Sequence, residues 1–178
     1  MTPAPAIRTL PHRRALGWLV LAMALAGAAR AGEAPSVPPA LVGNWTLVAV
    51  DNVTATGMRT HLYGDHPSGD LRFDAKGGYA LQMLSADRSR FARADKARGT
   101  DAEDRAAVVG ANSHFGRYEV DPAGGVLTFH IDHAFFPNWE GTVQARRYQL
   151  MGDTLTYSVP APTSGGAVRG EVIWKRAP

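Results

Sequence analysis

One cation in a tract of alternating polarity is the first place where this chain offers chemistry. In TVQARRYQLMGDTLTYS, residues 142–158, Gly152-Asp153 suits a two-residue hairpin turn. That turn pairs Met151 with Thr154, Leu150 with Leu155, Tyr148 with Tyr157 and Arg146 with Val159. One face then carries Gln144, Arg146, Tyr148, Leu150, Leu155, Tyr157 and Val159, and the other carries Arg147, Gln149, Thr156 and Ser158. The first face must point inward, since a one-residue slip would expose every large apolar group. Arg146 is thereby the one charge expected inside. A guanidinium keeps its proton and requires an acceptor when buried. It either clamps an acidic group of a ligand, with Gln144, Tyr118, Tyr148 and Tyr157 as donors and walls, or it is structural. In the second case it pairs with Asp65 or Asp70, or stacks on Trp139.

The preceding hairpin extends the inward set. Pairing Asp121 with Val126 across Pro122-Ala123-Gly124 joins Tyr118 and Val120 to Leu127, Phe129 and Ile131, with Arg117, Glu119, Thr128, His130 and Asp132 outward. The same alternation turns His133 inward near the open end, as a weak candidate for proton transfer. Phe129, Trp139 and Tyr63 complete the expected ligand-contacting positions. No metal site is expected: His130 and His133 face opposite ways, and His61 and His66 with Asp65 lack ligand spacing. These two and His114 read as solvated loop histidines. No serine stands in a nucleophile elbow, and Gly124-Gly125 and Gly165-Gly166 read as turns rather than phosphate cradles, so neither hydrolase chemistry nor a cofactor is expected. The basic segment Ser85 to Thr100 is either a lid that attracts an anionic ligand or a solvated loop. Phe135 to Trp139 either rims a pocket or plugs it.

The elements that must hold these residues are eight strand candidates, at about 44–53, 69–74, 78–84, 113–121, 125–133, 141–151, 153–159 and 169–176. One helix is expected over about 101–111, with Thr100 as cap and Asp101, Glu103 and Asp104 at its positive end. Connection lengths alternate. Residues 75–77, 122–124 and 152–153 are tight turns, whereas 54–68, 85–112, 134–140 and 160–168 are long. In an up-and-down meander the tight turns fall at one end and the long loops at the other. The expected architecture is all-β, an antiparallel barrel of eight strands (up to ten) with one short helix in a mouth loop. Trp45 and Arg176 should meet at its base, with the guanidinium over the indole.

Arg8, Arg13 and Arg14 precede an apolar run from Ala15 to Ala29, and Ala29-Arg30-Ala31 follows as a cleavage pattern. Residues 1–31 are therefore expected to be a cleaved export signal by the general secretory route or, on Arg13-Arg14, the twin-arginine route. The apolar run is too short to span a bilayer. Residues 32–40 should be a Pro-rich extended tether and 41–178 a single barrel domain. The signal holds four of the 19 bases and none of the 16 acids, leaving 15 against 16. The basic character of the whole chain thus argues for no nucleic-acid partner. The chain contains no cysteine, which removes disulfides, thiolate sites and a lipid-modified cysteine. The expected location is periplasmic or secreted.

On LVGNWTLV, LYGDHPSGDLRF, HFGRYEVDPAGG, FPNWEGTVQARRYQL and GDTLTYS, residues 41 to 176 resemble the lipocalin-like domains of bacteria and fungi. The resemblance implies a calycin-type β-barrel with a ligand cavity, in a family most of whose members have no established activity. Similar sequences often carry a histidine where this chain has Phe129, with His130 beside it, which weakens chemistry that depends on an inward histidine there. The leading expectation is an exported protein binding a small, partly apolar and acidic ligand, of the hydrophobic or aromatic acid class. A barrel enzyme of isomerase or cyclase type using Tyr118, His133 and Arg146 is the first alternative. A filled barrel that binds a partner through Phe135 to Trp139 is the second.

Overall fold

The computed structural model describes residues 37–160, 162 and 167–178; the expected signal and most of the tether lie outside these residues. Among the described residues nine strands form: β1 (Gly43–Val53), β2 (Arg59–His61), β3 (Ser68–Phe73), β4 (Gly78–Leu84), β5 (Ala111–Asp121), β6 (Val126–Ala134), β7 (Val143–Met151), β8 (Thr154–Pro160) and β9 (Arg169–Arg176). All pairings are antiparallel, each strand from β3 onward joins the next, and β1 pairs with β9 to close the barrel. Gly43–Thr46 of β1 pair with β3, and Asp51–Val53 pair with β2 along the same edge. β2 and β3 therefore share one position, and the wall is eight strands around.

β2 falls within a segment expected to be loop. Its three residues are exposed and carry no apolar pattern. Charge holds it instead: Arg59 bridges buried Asp51 of β1 at 3.0 Å and Glu171 of β9 at 2.6 Å, while His61 Nδ1 lies 2.7 Å from Asp51.

The tight turns sit at one end, where the barrel is filled. Trp45 and Trp174 are wholly buried there with Leu41, Leu71, Phe73 and Leu127, each contributing about 2–3 kcal/mol by leaving water. The Trp45 indole N–H donates to Leu41 O at 3.0 Å. Arg176 lies 4.3 Å above the Trp45 ring, as its position predicts, and its guanidinium donates to Val42 O and Ala40 O. The last tether residues are not extended: turns from Pro38 O to Leu41 N and from Pro39 O to Val42 N tuck Leu41 under the base.

At the open end, α1 (Asp101–Val109) is stopped at its start by a capping box between Thr100 and Glu103. None of its side chains is buried. Segment 85–100 lies against this helix, where Ala92 N–H donates to Glu103 Oε1 at 2.7 Å. None of its side chains reaches the barrel cavity. Among the described residues, no helix is long and apolar enough to cross a membrane.

Candidate functional site: a mouth cavity around Arg146

The open half of the barrel encloses a cavity of about 510 Å³. Its walls are mainly apolar, with Val50, Met83, Phe129 and Val172 projecting from the strands and Leu62 from the β2–β3 connection. Beneath Phe129, its ring contacts with Tyr79 at 4.7 Å and Phe73 at 6.2 Å join the cavity to the filled base. The rim is apolar too. Val108 and Val109 of α1 and Phe135 and Phe136 of the β6–β7 connection are each 41–60% exposed and border the opening. Trp139 leans inward from that connection, edge-on to Phe136 and to His114, so the aromatic loop rims the cavity rather than plugging it.

Six expected positions line this space: Arg146, Gln144, Tyr157, Phe129, Trp139 and Tyr63. Arg146 Nη2 donates to Gln144 Oε1 and Nη1 to Ala145 O at 3.2 Å. Among the described residues, no carboxylate lies within ion-pair distance of it, and neither Asp65 nor Asp70 pairs with it. Burial lowers its pKa from the ordinary arginine value, yet a guanidinium stays charged at physiological pH. Tyr157 is buried, and burial pushes its pKa up to about 12; burial also raises that of Tyr63. Both remain neutral donors.

Three expected positions stand elsewhere. Tyr118 faces inward but sits in the filled base, its hydroxyl donating to Asp74 O at 2.9 Å and its pKa pushed by burial up to about 12. Tyr148 also faces inward, pairs with Tyr157 as expected, and packs against the core without reaching the cavity. His133 is outside. It is 66% exposed, lies 3.4 Å from Glu140 and tilts over Phe115.

A β-bulge causes the last correction. Gly116 pairs with Ile131 but Phe115 pairs with His133, which leaves Asp132 as an extra residue and reverses the parity beyond it. Gly116 makes the bulge possible, because a Cβ there would stand 2.1 Å from His130 O. The β7–β8 ladder keeps the expected register from Met151 and Thr154 to Tyr148 and Tyr157 but ends there, so Arg146 does not join Val159 in it. In the gap lies a second recess of about 330 Å³, bordered by Arg146, Arg147, Ser158 and Arg169. Arg146 thus borders both spaces.

The inward histidine is His114 of β5. It is 8% exposed, lines the cavity, and has Nδ1 2.8 Å from the Tyr79 hydroxyl. Phe129 lies edge-on to it at 5.7 Å. Burial first, and the charge of Arg146 second, push its pKa down to about 4, so it is neutral at pH 7. The alternation that turns Tyr118 inward reaches His114 four residues earlier, and that signal identifies it. Asn52 of β1, also buried, adds a polar group to the cavity lining.

An apolar, open-mouthed chamber in an eight-stranded antiparallel wall, with a few convergent polar groups, has the size and lining typical of a small-molecule site. No curated protein matches the chain. The family model for the lipocalin-like domain matches residues 42–177, which is nearly all of the described barrel, and the chain belongs to that family.

Proposed function

We propose that this is an exported binding protein whose cavity takes one amphipathic acid, with its anionic group on Arg146 and its apolar body against the strand walls. The observation that carries this reading is a half-buried guanidinium with no carboxylate partner among the described residues, inside a mainly apolar chamber. Such a charge is costly unless paired, and a ligand that brings the counter-charge offsets that cost. The chamber's volume speaks against a filled barrel that acts only through its loops. Tyr118, His133 and Arg146 do not converge, so the acid–base enzyme they would form has no support in the geometry. The basic, apolar and small-residue order of residues 1–31 supports export to the periplasm or beyond.

Thermal-shift and native-mass titrations with decanoate and decanol test the binding. Decanoate should bind the more tightly, and Arg146→Met should weaken it by about 10- to 100-fold, the loss expected for one charge-assisted hydrogen-bonded contact, while decanol changes little. Equal decanoate affinity in that variant would remove the clamp. Expressed with its leader in a bacterial host, the recovered protein should begin at Gly32 by intact mass; retention of residues 1–31 would remove the export reading.

A further inference from the structure

We infer that the acidic group is bound together with a proton taken from solvent onto His114, so that a guanidinium from β7 and an imidazolium from β5 hold one anion between them. This rests on the binding reading above and adds a second headgroup contact and a proton to it.

Several elements present groups to the space around His114. From β4 comes the neutral Tyr79 hydroxyl, from β7 Arg146, from β8 the neutral Tyr157, from the β6–β7 connection the Trp139 ring, and from the β2–β3 connection Tyr63. No Asp or Glu lines this cavity among the described residues; Asp132 stands on the exposed bulge, where its charge is felt by Tyr79, and Glu140 is engaged with His133 outside. Desolvation and the neighbouring guanidinium act together to keep the imidazole neutral. An incoming anion changes the sign of that balance. It compensates Arg146 and is itself the nearby negative charge that favours an imidazolium.

Hydrogen bonding permits the change without moving the backbone. Tyr79 and Nδ1 are 2.8 Å apart, and the hydroxyl can donate to a bare nitrogen or accept from a protonated one. Nε2 has no protein partner among the described residues and is the nitrogen left to donate to the ligand. The proton adds to whichever ring nitrogen lacks one, and no other bond is made or broken. By linkage, anion and proton each tighten the binding of the other to the same degree.

Decanesulfonate, which stays ionised throughout the pH range, is the probe, because any proton then belongs to the protein. Calorimetry near pH 6 in buffers of different ionisation enthalpy should record uptake approaching one proton. Affinity should rise as pH falls from 8 to 5, by at most about tenfold per pH unit. His114→Gln should keep weakened binding but lose both the uptake and the slope. Binding with no proton exchange and no pH dependence overturns this inference while leaving the acidic-ligand reading intact. Uptake that persists in His114→Gln overturns the assignment to His114. Failure of decanesulfonate and decanoate alike to bind overturns both readings.

Discussion

At the scale of single residues, His114 and Arg146 are two basic groups in one apolar chamber, and the fold tolerates them by keeping one neutral. That arrangement sets a pH dependence of stability. An unfolded histidine titrates near 6.5, whereas His114 in the fold titrates near 4, so between these values the unfolded chain binds the extra proton. Its contribution is fully present above pH 6.5 and is lost as pH falls toward 4, amounting to about 3 kcal/mol over the whole interval. Asp74, Glu103 and Glu171 also have lowered pKa values, but their contributions are lost only below about their ordinary values of 3.8 to 4.5. Urea unfolding between pH 7 and 5 therefore isolates the histidine: midpoints should fall for the native chain and stay level for His114→Gln. Parallel curves for the two proteins would place the acid sensitivity elsewhere.

The element scale shows which positions were legible in the sequence. The turn at Gly152-Asp153 fixed the pairing from Met151 and Thr154 to Tyr148 and Tyr157, and alternation fixed the inward faces of Tyr118, Val120, Leu127, Phe129 and Ile131. Depth along the barrel was not legible. Tyr118 faces the interior as its parity requires, yet lies below the chamber, because depth depends on how far each strand is staggered against its neighbours, and Tyr148 packs against the core without lining the chamber. The bulge at Asp132 was hidden for a related reason. Its cause is a glycine on the opposite strand, whose significance appears only once Gly116 and His130 are in contact. Gly116→Ala should cost about 2–4 kcal/mol, because the new methyl would meet backbone that cannot rotate away. An unchanged urea midpoint would contradict so close an approach. β2 escaped notice because ion pairs to Asp51 and Glu171 hold it, and three exposed residues carry no periodicity.

At the scale of the whole molecule, the barrel is a filled base joined to a hollow mouth, and its closure depends on residues from both ends of the domain. Arg176 covers Trp45, donates to Val42 and Ala40, and lies 3.4 Å from Asp153. Removing it in Arg176→Ala should lower stability by about 2–3 kcal/mol through the lost cation–π contact and hydrogen bonds. Arg176→Lys should recover only part of that, since an ammonium lacks the planar fork. Denaturant midpoints for the three proteins measure this order, and an alanine variant as stable as the native chain would show that β1 and β9 close without the latch. Ligand affinity should change less than stability, because the latch lies at the end remote from Arg146.

That seam also governs timing. The hydrogen bond from Arg176 to Val42 joins positions 134 residues apart, and the β1–β9 ladder brings together the first and last strands of the domain. Contacts of such sequence separation form late, after the cost of closing the intervening loop has been met. A chain emerging residue by residue cannot finish this barrel until its final strand is available. The unfinished meander has open edges and no sealed base, so completion waits for β9, the last strand of the domain.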